Sequence, residues 1–157
     1  MGNKILTVCL GNICRSPVAE GFFAYHFRRH QIPGEVSSAG IQAVINSAAD
    51  PFSQKIMQDH YQIDISAHRA RQFDEKMARY YDLILVMEDF QATKIQSLYP
   101  YTTGKIHPLG KWRKRTVADP YQQSEQIFQQ NIALIHDCVN DWIEQLWQVP
   151  IQKGSIK

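Results

Sequence analysis

Along the chain, short unbroken apolar runs alternate with stretches whose apolar residues recur every three or four positions. KILTVC (4–9) is the first run, brief and β-prone, as expected of a strand buried on both faces of a parallel sheet. From Pro17 the period changes, and Ala19, Phe22, Phe23 and His26 fall on one helical face. Ser16 is predicted to cap that helix, with Pro17 at its first position. IPG at 32–34 breaks the chain, and EVSSAG (35–40) predicts a second strand. Asp50-Pro51 opens a helix over 50–61, DISAHRARQ (64–72) predicts a loop, and FDEKMARYY (73–81) a short helix. DLILVM (82–87) is the clearest buried strand, followed by a helix through DFQATKIQSLY (89–99) and a short strand near KIHPL (105–109). Residues 110–123 are polar loop. Beyond them Phe128, Ile132, Ile135, Val139, Trp142 and Leu146 step by four and three, one apolar stripe down a long helix.

This alternation predicts an α/β fold: a doubly wound sheet of about four parallel strands with helices on both faces. With no internal repeat and no Gly/Ser-rich linker, residues 1–149 are expected to form one domain, and PIQKGSIK (150–157) a flexible tail. The chain has 157 residues, 44% of them hydrophobic and 20% charged, and a net charge of +2. That balance is far from the strongly basic one of a nucleic-acid binder. The local exception is KWRKR (111–115), either a solvated loop or a patch that attracts acidic substrates. Three cysteines, Cys9, Cys14 and Cys138, are too few for a disulfide framework. They point to a reduced, cytoplasmic setting, and Cys138 is expected to be structural. The longest apolar run, LILVM (83–87), is far too short to span a membrane.

The candidate chemistry lies in VCLGNICRSPVAE (8–20). In open α/β sheets ligands bind off the carboxyl ends of the strands, and Cys9 ends the first strand. Between it and the helix, Leu10, Gly11, Asn12, Ile13, Cys14, Arg15 and Ser16 form a turn whose backbone N–H groups lack helical partners. Gly11 and Asn12 both tolerate positive φ, so the turn can curl its amides inward around an anion. Arg15 adds a planar fork that holds two oxygens at once. The expected guest is phosphate or a similar tetrahedral oxyanion. The same donors stabilise a thiolate, which makes Cys9 the predicted nucleophile. Ser16 either caps the helix or donates its hydroxyl to that sulfur, and capping is the favoured expectation.

CxxxxxR followed by Ser-Pro, here CLGNICRSP near the start of the chain, resembles the low-molecular-weight protein tyrosine phosphatases. SSAG (37–40), HRARQ (68–72), DLILVME (82–88) and DPY (119–121) occur in that family's order and spacing, so the resemblance covers essentially the whole domain. It implies a phosphocysteine mechanism on tyrosine-phosphorylated protein, with Asp119 as general acid on a loop stiffened by Pro120, and no cofactor or metal. It further implies that Asn12 holds the loop through Ser38 and His68, and that Cys14 pairs reversibly with an oxidised Cys9. Ile13, Val44 and Tyr121 fall at the substrate rim. Val44 stands where many relatives have an aromatic wall, and Trp112 is a candidate replacement. Arsenate reductases of the same fold need further relay thiols, and none occurs at 70–95. A binding module without turnover would not need the acid.

Overall fold

A computed structural model describes residues 3–149. β1 (Lys4–Cys9) leads through α1 (Arg15–Arg29) to β2 (Glu35–Gly40). Two helices, α2 (Pro51–Tyr61) and α3 (Glu75–Tyr80), precede β3 (Leu83–Val86). Next come α4 (Asp89–Leu98), a 3-10 turn (Pro100–Lys105), β4 (Ile106–Pro108), a second 3-10 turn (Lys111–Arg113) and α5 (Glu125–Trp147). The expected tail from residue 150 lies outside the described residues.

The four strands form one all-parallel sheet in the order β2-β1-β3-β4, with Val8 opposite both Ala39 and Val86. Alternation along the strands sorts the core into two layers. Ile5, Leu85 and Met87 pack with α1, α2 and α5, whereas Leu6, Val8, Ile84 and Val86 face Ala78 of α3 and Ile95 of α4. The stripe on α5 is buried at Phe128, Ile132, Ile135, Val139 and Trp142; Cys138 is buried with it, and Leu146 is partly so. Because β1 is paired on both sides and strand order reverses around it, its carboxyl end opens the crevice where a ligand fits. Cys9 stands there.

Local signals set most boundaries. Asp50 caps α2 by accepting from Phe52 N, and Asp74 caps α3 by accepting from Met77 N. α1 is the exception: it begins at Arg15, two residues before Pro17, with Cys14 at the N-cap and no side-chain cap bond. The expected Ser16 cap is therefore corrected; Ser16 is already inside the helix and its hydroxyl turns to Cys9.

Candidate active site

Residues 10–14 make a tight loop whose carbonyls are all engaged by neighbouring segments. Cys9 O accepts from Ile41 N, Leu10 O from Gln42 N, Gly11 O from Val44 N and Ile13 O from Asp50 N, at 2.8 to 3.1 Å. Asn12 O lies 2.7 Å from His68 Nε2, and since a carbonyl only accepts, that ring nitrogen carries the proton. With the carbonyls drawn outward, the N–H groups of Gly11 to Cys14 donate to no backbone acceptor among the described residues. Gly11, Ile13 and Cys14 line one cavity with Arg15 at the N-terminus of α1, and unpaired N–H groups beside a helix start are an arrangement that attracts an oxyanion.

Asn12 sustains the turn. Its φ is 60°, the left-handed value expected of a nest residue; Gly11, expected to share that conformation, is not left-handed. Asn12 Oδ1 accepts from Arg71 N at 2.9 Å, which fixes the amide's orientation, and Nδ2 donates to Ser16 Oγ (2.7 Å) and Ser38 Oγ (2.9 Å). Ser38 in turn donates to Glu20 Oε1 at 2.6 Å. Ser16 Oγ already accepts from Asn12, so its own proton is free for the sulfur of Cys9, 3.0 Å away. Cys9 is only 2% exposed.

Arg15, also 2% exposed, is held at one end and open at the other. Nη1 donates to Glu88 and to Val117 O (2.8 Å), whereas Nε is buried with no hydrogen-bond partner. Nη2 is 3.8 Å from Asp119 Oδ2, too long for a full ion-paired hydrogen bond. Glu88 and Val117 thus anchor the guanidinium while the Nε/Nη2 edge remains for two oxygens of a guest. Asp119 rides on a segment tied down by Val117 N to Met87 O and by Asn131 Nδ2 to Ala118 O. Its Oδ1 accepts from Tyr121 N at 3.0 Å, the local turn that Asp-Pro favours. Cys9, Leu10, Gly11, Ile13, Cys14, Arg15, Gln42, Val44, Asp119 and Tyr121 together line a cavity of 170 Å³.

Trp112 does not join them. Its ring packs edge-on against Trp142 at 5.3 Å and lines a separate cavity with His107 and Trp147, because the 3-10 turn carrying it docks on α5. The same docking ties Arg113 to Asp141 and Asp137 and sets Lys111 over Trp112, so part of the cluster is engaged on α5, although all five of its residues remain exposed. Cys14 is buried beside the cavity; burial, with Asp50 and Cys9 adding to it, pushes its thiol far up and keeps it protonated. Cys138 is pushed up to about 12 by burial in the α5 core, remote from any relay. Several supporting residues were not expected: Glu20, Gln42, Arg71, Glu88 and Gly40. Gly40 had a readable signal, a glycine closing a strand; a Cβ there would meet Leu10 O at 2.6 Å and Asn12 N at 3.0 Å. Glu88, placed directly after the central buried strand, had another.

Comparison with known proteins agrees with this geometry. The sequence model of the low molecular weight phosphotyrosine protein phosphatases matches residues 4–150. A probable low molecular weight protein-tyrosine-phosphatase EpsP of Ralstonia nicotianae is 40% identical over 147 residues, covering 93% of this chain and 97% of that one. Vibrio vulnificus Wzb in complex with benzylphosphonate superposes with a TM-score of 0.86 at 32% identity, over 93% of this chain and 100% of that chain. The low molecular weight protein tyrosine phosphatase of T. tengcongensis gives a TM-score of 0.88 at 30% identity, over 92% and 100% of the two chains. By whole-chain similarity and by the loop built around residue 9, this chain belongs to the low molecular weight phosphotyrosine protein phosphatase family.

Proposed function

We propose that the protein hydrolyses phosphotyrosine in proteins, and small aryl phosphates, with Cys9 as nucleophile, Arg15 as transition-state clamp and Asp119 as proton donor. The observation that carries this assignment is that two segments more than a hundred residues apart in sequence, the loop 9–15 and the stretch around Asp119, bring a sulfur, a half-anchored guanidinium and a carboxyl group around one cavity. Cys9 attacks phosphorus in line; the S–P bond forms as the P–O bond to the aryl group breaks, and Asp119 gives its proton to the departing oxygen. Water then attacks the phosphocysteine, passing a proton to Asp119 and releasing phosphate and the Cys9 thiolate. The loop amides and the Nε/Nη2 edge of Arg15 carry the equatorial charge in both steps, and Ser16 steadies the sulfur as a leaving group. Ile13, Val44 and Tyr121 flank the entering ring at the rim. The bound benzylphosphonate of the Vibrio relative supports the reading of an aryl oxyanion in this cavity.

Cys9→Ser should abolish turnover of p-nitrophenyl phosphate while phosphate binding persists by calorimetry; activity retained in that variant refutes the mechanism. Cys14, held protonated, stays out of turnover and serves as resolving thiol once peroxide has converted Cys9 to a sulfenic acid, with loss of water as the disulfide forms. Mild peroxide should give a 9–14 bridge by mass spectrometry, and over-oxidised Cys9 alone would rule this out. Such thiol chemistry suits a reducing compartment, the cytoplasm.

A further inference from the structure

A second, larger depression adjoins the catalytic cavity and has no part in the mechanism. It is an open groove of 730 Å³ between Leu10, Ile41 and Gln42 on one side and Phe90, Thr93, Lys94 and Ser97 on the other. The second wall is one face of α4, since those four residues follow the spacing i, i+3, i+4, i+7. Leu10 and Gln42 line both depressions, so the groove continues the mouth of the Cys9 cavity. Phe90 is 50% exposed and, among the described residues, makes no ring contact. Lys94, one turn further along α4, also lines the groove and, like most of the chain's lysines and arginines, makes no ion pair among the described residues.

We propose that this groove binds the polypeptide flanking the phosphotyrosine, selecting an apolar residue against Phe90 and an acidic residue against Lys94. The proposal rests on the phosphatase reading and names the class of protein substrate for it. Continuity through Leu10 and Gln42 lets a chain leave the catalytic cavity directly onto α4, and the unpaired ammonium supplies charge complementarity. One helical turn separates Phe90 from Lys94, roughly 6 Å, which an extended chain covers in about two residues. The favoured substrate therefore carries its acidic side chain about two positions beyond the apolar one.

The test compares kcat/KM for a synthetic phosphotyrosyl peptide bearing leucine and, two positions on, glutamate on either side of the phosphotyrosine with that for a peptide bearing glycine and serine there. The wild-type protein should prefer the first about tenfold. Phe90→Ala should erase most of that preference, and Lys94→Glu should lower it for the glutamate peptide and spare one with glutamine in its place. Both residues are on the surface, and turnover of p-nitrophenyl phosphate should be unchanged in both variants. Equal rates for the two peptides, or variants that slow peptide and p-nitrophenyl phosphate alike, would overturn the proposal while leaving the phosphatase assignment intact. Absence of turnover of every substrate by the wild type would instead sink the assignment beneath it. A change in oligomeric state of Phe90→Ala by light scattering, without a change in peptide preference, would reassign the face to self-association.

Discussion

At the scale of single residues, the site works by dividing each polar group between holding and acting. Arg15 spends Nη1 on Glu88 and Val117 and keeps Nε and Nη2 toward the cavity. A buried guanidinium without such anchoring would lose the orientation that makes bidentate recognition possible. Asp119 is less constrained: its side chain is 40% exposed, and it is fixed mainly by its own turn to Tyr121. That freedom suits a group which must reach the leaving oxygen and then a water molecule. Asp119→Ala should cut kcat for aryl phosphates with poor leaving groups by about 10²–10³ and that for p-nitrophenyl phosphate by much less, following the usual scale of general-acid catalysis. A uniform loss across a series of leaving-group pKa values would count against proton donation by this carboxyl.

Elements matter through the closeness with which they meet the loop. β1 delivers Cys9, α1 begins six residues later, and the end of β2 presses so tightly on residues 10–12 that only glycine fits at position 40. Gly40→Ala would force a methyl group into the Leu10 carbonyl and push the loop amides out of register. Overpacking of this kind costs about 1–3 kcal/mol, so the urea midpoint should fall, and kcat/KM should drop at least tenfold as amide geometry is lost. A variant with normal kinetics would show that the loop yields to the added methyl group without losing its amide geometry. Thr7 reinforces the same junction, donating to Ser16 O at 2.9 Å and so stitching β1 to the first turn of α1.

Across the whole molecule, α1 and α5 close the face opposite α4 through a buried polar chain. His26 Nε2 lies 2.8 Å from Asn140 Oδ1, and Asn140 Nδ2 lies 3.3 Å from His136 Nε2. Around them stand His30, stacked on His26, Tyr25, Arg29, Phe22, Tyr61 and Asp137. Burial lowers His26 from 6.5 to about 4 and also lowers His136. Between those values the unfolded chain takes up a proton that folded His26 refuses, so folding stability is complete above about pH 7 and falls as pH drops toward 4. For His26 the loss amounts to at most about 3 kcal/mol. Denaturant titrations at pH 7.5 and 5.0 should show it, and His26→Gln, which can still donate to Asn140, should flatten the dependence. An unchanged slope in that variant would place the effect on other groups.

The strands and helices were legible in the sequence because their periods differ and because each is buried against a sheet that demands that period. β1, β2 and the long α5 fall where the apolar spacing puts them. Cys9 and Arg15 were legible for a related reason, since a strand, a tight turn and a helix start within eight residues leave little conformational choice. What the sequence could not decide is anything that depends on which distant segment arrives. Ser16 looks like a cap by local rules, and only the approach of Asn12 and the Cys9 sulfur makes it part of the site. Trp112 sits near Asp119 in sequence but packs on Trp142, because a broad apolar helix offers an indole more buried contact than an open rim does. Arg71 and Glu20 carry no local signature, and Glu88 shows only its place after a buried strand; the roles of all three come from parallel strands that bring residues 9, 38 and 88 together. Local chemistry along the chain thus determined the elements and the reactive loop, whereas tertiary packing alone decided the loop's supports and the shape of its rim, since those contacts join residues that only the folded sheet makes neighbours.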